Sequence, residues 1–144
     1  MSVATKSTEV GVAPEKIFDI IADFDSYPEF LSHLGMVAVK TESGAGDRKV
    51  VTQSVKKMGK VVSYTLDYTF DRPRKISWTF VKGQMMKDNR GSWTFEELSE
   101  GHTKITYSAE VKFGMLVPGS LVSMMISKEL PQLLDAFKKR AEKG

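Results

Sequence analysis

The sequence predicts an α+β fold in which a strongly curved antiparallel sheet of about seven strands wraps around a long C-terminal helix. Apolar and polar residues alternate along successive segments between residues 36 and 113, which indicates strands with one covered face. From Gly119 to Glu142 the apolar residues recur instead at helical spacing. The 144 residues suit a single domain, 1–144, with a substantial core.

The first third of the chain predicts one strand followed by two short helices. Residues 3–12 mix β-branched and polar residues in loose alternation, as an opening strand does. Pro14 suits a first helical position, and an apolar stripe follows it. Pro28 lies early in a second short helical pattern.

The middle of the chain predicts six strands. The clearest spans residues 60–70, where every second residue is apolar. A turn-rich stretch, 42–47, separates two earlier strands, and a tight turn is expected at residues 58–60. The other predicted strands are 36–40, 49–57, 76–80, 91–95 and 105–113.

The C-terminal pattern predicts one helix of about 36 Å, at ~1.5 Å per residue. The strand predicted at residues 60–70 has a similar length at ~3.3 Å per residue, so this helix can lie along the concave face of the sheet. Pro131 cannot donate a hydrogen bond to Ser127, and we expect a kink or break there. The apolar stripe contains Leu121, Val122, Met125, Ile126, Leu130, Leu133, Leu134 and Phe137.

The composition excludes several kinds of chemistry. The chain has no cysteine, so disulfides, thiol nucleophiles and thiolate metal sites are excluded. Its two histidines, His33 and His102, have no metal-ligand spacing, and we expect no metal and no cofactor. The 21 cations and 18 anions are interspersed, unlike those of a DNA-binding protein. The sequence lacks a secretory signal pattern and a membrane-spanning stretch, so we expect a cytoplasmic protein.

Several motifs resemble those of a known superfamily. Residues 13–19, the Tyr27-Pro28-Glu29-Phe30 core of residues 23–31, residues 91–95 and residues 137–141 resemble START-like (SRPBCC, Bet v 1-like) proteins. Within that superfamily they are similar to the polyketide cyclase/dehydrase and coenzyme Q-binding branch. The resemblance implies a helix-grip fold with an apolar ligand. Ser32 and His33 stand where quinone-binding members usually carry a proline and an aromatic residue.

Aromatic side chains on the predicted concave face are the main indication of a binding site. Buried Tyr and Trp need partners for their polar atoms, which suits a cavity with an amphipathic ligand or ordered water. Methionine adapts to irregular apolar shapes, in a core or in a cavity. The alternative is that these residues only pack against the helix. The candidate ligand-binding residues are Tyr64, Tyr68, Trp78, Phe80, Asn89, Trp93, Tyr107, Met124 and Met125.

Three functions stay open on the sequence. The first is a carrier or chaperone for a lipid, isoprenoid or quinone-like molecule, with transient membrane contact through residues 116–119 as one variant. The second is a ribosome- or protein-interaction module, for which Lys56, Lys57 and Lys60 form the local basic cluster. The third is a polyketide aromatase or cyclase. No catalytic constellation is recognisable, and Asn89, His33 and Tyr64 are its weak candidates.

Overall fold

A computed structural model describes residues 2–57 and 59–143. Two 3₁₀ turns, Phe24–Ser26 and Ser32–Leu34, flank the second helix, and a π-helical segment, Met125–Glu129, joins the last two helices. The helices are α1 Pro14–Ala22, α2 Tyr27–Phe30, α3 Gly119–Met124 and α4 Leu130–Lys143. The strands are β1 Ser2–Val10, β2 Met36–Ala45, β3 Arg48–Lys57, β4 Lys60–Asp71, β5 Lys75–Gly83, β6 Met86–Ser99 and β7 His102–Phe113.

The seven strands form one antiparallel sheet in the order β1-β7-β6-β5-β4-β3-β2. The predicted fold class is therefore confirmed, including the short helices between the first two strands. β2 and β3 run further than predicted, through most of the turn-rich stretch, and reverse at Gly46 with a φ of 62°. Of the turn predicted at residues 58–60, Met58 lies outside the described residues.

The sheet opens between β5 and β6. These strands pair only where Lys75–Trp78 faces Gly91–Thr94, and they separate beyond Trp78. Gly91 lies at the point of separation, where a Cβ atom would come within 2.2 Å of the Ser108 carbonyl oxygen and 2.8 Å of Trp78 Cζ2. Only glycine fits this contact, because the backbone oxygen cannot rotate away.

The C-terminal helix differs from the prediction of a single helix from residue 119 to 142. The structure has α3, the π-helical segment and α4 in succession. The irregularity lies immediately before Pro131, which has no N–H for the usual bond and crowds the preceding turn. The expected disturbance is thus present, one turn earlier than Pro131 itself.

The two halves of this helical region are buried to different degrees. α4 packs on β1 and α1, and it buries Leu130, Leu134, Phe137 and Ala141. By contrast, α3 and the π-helical segment bury no residue. No helix in the described part of the chain is long and apolar enough to cross a membrane.

Candidate functional site

A cavity of about 300 Å³ lies between the concave face of the sheet and the C-terminal helices. Most of its floor comes from β3, β4, β6 and β7, with Trp78 contributed by β5, and its cover comes from α3, the π-helical segment and the start of α4. The lining is mostly aliphatic, methionine and aromatic side chains. This volume is at the lower end of the range for small-molecule sites, roughly 300–1,000 Å³.

Most of the predicted binding residues line this cavity. They come from four strands and the π-helical segment, which the curvature of the sheet brings together. That they bind a ligand stays a prediction. The seven are Tyr64, Tyr68, Trp78, Asn89, Trp93, Tyr107 and Met125.

Phe80 and Met124 were expected in the lining and are not part of it. Phe80 follows the point where β5 leaves β6, and its half-buried ring lies against Gly83, 3.1 Å from the position a Cβ atom there would take. Met124 is 40% exposed, because one residue along a helix rotates the side chain by about 100° away from the face that Met125 presents.

Gln53 is a functional candidate that the sequence reading missed. Its side chain is buried in the cavity wall, where Tyr64 Oη donates to its Oε1 at 3.1 Å. Gln53 Nε2 in turn donates to Tyr68 Oη at 2.6 Å. The sequence could have indicated Gln53, because it alternates in phase with Val51 and Val55 on the apolar face of β3.

The opposite wall carries a second polar group. Trp78 Nε1 donates to Asn89 Oδ1 at 2.9 Å, while Asn89 Nδ2 has only the Met86 sulfur at 3.9 Å. Tyr107 lines the cavity, and its hydroxyl makes no hydrogen bond to any described residue. Burial raises the pKa of Tyr107 to about 12, so it remains a proton donor at neutral pH.

One ion pair belongs to the lining. Lys57 Nζ lies 2.7 Å from both carboxylate oxygens of Glu129 and donates to the Leu34 carbonyl oxygen at 3.2 Å. The side chains are 18% and 26% exposed. All three ammonium protons are thereby used. The sequence pattern offered a weak signal, since Lys57 continues the inward face of β3 and Glu129 follows Met125 by four residues.

The remaining sequence candidates lie outside this cavity. His33 and His102 are exposed, and neither lines the cavity. Lys56 and Lys60 are exposed, whereas their neighbour Lys57 is tied to Glu129. Among residues 2–57 and 59–143, no three His, Asp or Glu side chains group as a metal site.

A curved seven-stranded sheet closed over a cavity by a C-terminal helix is the helix-grip fold, which START-like proteins share. Residues 10–138 match the family described as polyketide cyclase/dehydrase and lipid transport, and the chain belongs to that family. The match does not single out its coenzyme Q-binding branch, which stays a prediction.

Individual relatives span different activities. The ribosome association toxin RatA of Vibrio cholerae is 25% identical over 142 residues, covering 99% of this chain and 96% of that protein. The Zhui aromatase/cyclase of Streptomyces sp. R1128 superposes with a TM-score of 0.87 at 14% identity, over 99% and 94% of the two chains. A START superfamily protein of Mycobacterium smegmatis gives 0.84 at 19% identity, over 98% and 97%.

Proposed function

We propose that this protein binds a neutral amphiphilic molecule in the cavity and acts as its carrier. The observation that carries the proposal is that the cavity wall is mostly apolar and also presents hydrogen-bond donors without a strong protein acceptor. Each methylene group buried there contributes about 0.8 kcal/mol, so a chain-like ligand gains affinity without a charged anchor. The lipid transport in the family description supports this choice.

The polar groups on the wall indicate the chemistry of the ligand. Tyr107 Oη and Asn89 Nδ2 are donors that no strong protein acceptor engages. A ligand oxygen of a carbonyl, ether or hydroxyl group would satisfy them. An anionic head group is disfavoured, because Glu129 already occupies the only ammonium group on the wall. Lipids, isoprenoids and quinone-like molecules with neutral oxygens fit this description.

Uptake of a neutral fluorescent probe, N-phenyl-1-naphthylamine, tests the proposal. Val122 lines the cavity and its neighbour Ser123 is exposed outside it. Val122→Trp is expected to fill the cavity and reduce probe affinity at least tenfold, while Ser123→Trp binds like the wild type. Circular dichroism establishes that both variants are folded. Wild-type protein without uptake, or equal uptake by both variants, would overturn the proposal.

Native mass spectrometry of protein isolated gently from its host then identifies the cargo. A neutral lipid, isoprenoid or quinone at one molecule per chain is the expected result. A stoichiometric fatty acid or another anion would contradict the neutral-ligand assignment while leaving the carrier role in place.

Ribosome association is the second candidate, and the likeness to RatA over nearly the whole chain favours it. Lys56 and Lys60 on the β3–β4 hairpin are exposed and suit a phosphate backbone. Co-sedimentation with ribosomes that weakens steeply with salt, and is lost in Lys56→Glu/Lys60→Glu, would support it.

Aromatase or cyclase activity has less support. The likeness to the Zhui aromatase/cyclase is at 14% identity and concerns the fold. General acid–base chemistry needs a titratable group free to reach the substrate. The one carboxylate in the lining, Glu129, is held by Lys57, and no histidine lines the cavity.

A further inference from the structure

Exposed apolar residues gather at one end of the molecule. Met115 and Leu116, in the connection from β7 to α3, are each 92% exposed. Met85, between β5 and β6, is 37% exposed, and its carbonyl oxygen accepts a hydrogen bond from the Gly114 N–H at 3.0 Å. The two connections are thus joined. We call Met85, Met115 and Leu116 the apolar tip.

The apolar tip borders the entrance of the cavity. Met85 and Ile126 line the cavity and are also more than one third exposed, so both lie where its lining meets solvent. Phe113 and Val117 line it as well, on either side of Met115 and Leu116 in the chain. A binding partner that covers the apolar tip would therefore also lie next to the entrance of the cavity.

Three exposed lysines lie on the strand ends that lead to the apolar tip. Lys82 lies near the end of β5, Lys87 at the start of β6 and Lys112 near the end of β7. None of them makes an ion pair with an acidic group in the described part of the chain. The nearby acids Asp88 and Glu110 instead face Arg90, at 3.8 and 3.6 Å. This end of the sheet therefore carries an excess of positive charge.

Other exposed apolar residues do not form such a feature. Val3, Val37, Val61, Val81 and Leu98 are single strand residues, 46–62% exposed. Isolated residues of that kind are ordinary on protein surfaces. Two consecutive, almost fully exposed apolar side chains beside strand ends that carry exposed lysines are typical of an interfacial lipid contact. Nucleic acid would use the lysines but gain nothing from Met115 and Leu116.

We propose that the apolar tip and Lys82, Lys87 and Lys112 dock on an anionic lipid bilayer. The tip enters the boundary between head groups and acyl chains, and the lysines lie among the lipid phosphates. The cavity entrance then faces the bilayer. This docking surface is a separate property from ligand binding, because it places the exchange of the ligand at the bilayer.

Flotation with vesicles tests this surface. Wild-type protein is expected to bind phosphatidylcholine vesicles containing roughly 30% phosphatidylglycerol, and pure phosphatidylcholine at least tenfold more weakly. Met115→Asp/Leu116→Asp should lower binding to the anionic vesicles at least tenfold. Leu98→Asp, at the opposite end of β6, should bind like the wild type.

The lysines are tested by charge reversal. Lys87→Glu/Lys112→Glu should weaken anionic-vesicle binding by more than about 25-fold, because each lysine lost costs about fivefold and each new carboxylate adds repulsion, and it should flatten the salt dependence. Lys104→Glu, an exposed lysine near the start of β7, is the matched control. Absence of wild-type vesicle binding, or equal losses in Leu98→Asp and the tip variant, would overturn the docking surface.

Probe uptake in solution separates this proposal from the proposed function. Tip variants that still take up N-phenyl-1-naphthylamine but no longer float with vesicles support the docking surface. Wild-type protein that takes up the probe without binding vesicles overturns docking alone. Ribosome binding lost in the tip variant, without vesicle binding by the wild type, would reassign the surface to a ribosomal partner.

Discussion

Single side chains determine the polarity of the cavity wall. Gln53 is satisfied by Tyr64 and Tyr68, whereas the Tyr107 hydroxyl has no partner among the described residues. A ligand acceptor that meets this hydroxyl inside the cavity adds a hydrogen bond worth ~0.5–1.5 kcal/mol. We therefore expect the Tyr107 hydroxyl to discriminate between ligands with and without an oxygen acceptor.

Tyr107→Phe tests that role with two matched ligands. We expect the variant to bind 2-undecanone about two- to tenfold more weakly than the wild type, because one hydrogen bond contributes ~0.5–1.5 kcal/mol. Its affinity for n-undecane should not change. Displacement of N-phenyl-1-naphthylamine measures both affinities. An equal loss for both ligands would mean that the ring packs against the ligand and its hydroxyl has no role.

Gly91 fixes the position of Trp78 through the absence of a side chain. A Cβ atom there would meet the Ser108 carbonyl oxygen at 2.2 Å and the Trp78 ring at 2.8 Å. Gly91→Ala should therefore lower the free energy of unfolding by about 1–3 kcal/mol, as overpacking does. Gly119→Ala, with open space around its Cα, is the control and should be neutral or stabilising. Urea unfolding measures both, and equal stabilities would refute the steric argument.

At the scale of elements, one ion pair connects the least buried part of the C-terminal helical region to the sheet. α3 and the π-helical segment bury no side chain, and Glu129 links the end of that segment to Lys57 on β3. Removing one partner leaves the other charge partly buried and unpaired. We therefore expect the bridge to stabilise the position of the cavity's cover.

Lys57→Met tests this closure through ligand exchange. We expect N-phenyl-1-naphthylamine to dissociate about five- to tenfold faster, corresponding to ~1–1.4 kcal/mol, with faster amide exchange in residues 119–129. Lys56→Met, an exposed neighbour, is the matched control. Stopped-flow fluorescence gives the rates. Unchanged dissociation in Lys57→Met would show that the helix is held closed by apolar contacts alone.

Sequence periodicity predicted the elements well and their interruptions poorly. Alternation over residues 60–70 located β4, because half-buried strands show their faces in the sequence. The π-helical segment was anticipated only as a disturbance at Pro131, since the number of residues in a strained turn depends on packing. The Lys57–Glu129 pair joins residues 72 positions apart, and periodicity carries no information about such contacts. Phe80 does not line the cavity, and the separation of β5 from β6 that precedes it has no signature in the alternation.

At the scale of the whole molecule, the anchored and covering parts of the fold are distinct. α4 buries four residues against the sheet and α1, including Phe137, whose ring lies 5.4 Å from Trp93 and 5.5 Å from Tyr27. These aromatic contacts close one end of the space under the sheet. The other end, beneath α3, remains as the cavity. The buried contacts of α4 and the cover of the cavity thus belong to different halves of the C-terminal helical region.

The buried tyrosines connect the core and the cavity to global stability at alkaline pH. All four, Tyr27, Tyr64, Tyr68 and Tyr107, have a pKa raised by burial, that of Tyr107 to about 12. Unfolded tyrosine titrates near pH 10, so the unfolded chain releases these protons first and stability falls as pH rises above about 10. Each tyrosine whose pKa is raised steepens this loss by up to about 1.4 kcal/mol per pH unit. We therefore expect cooperative unfolding at alkaline pH above about 10, with tyrosinate absorbance and near-ultraviolet circular dichroism changing together. Tyr107→Phe should lessen the pH dependence by ~1.4 kcal/mol per pH unit. Tyrosinate absorbance that appears near pH 10 in a chain that remains folded would contradict this linkage.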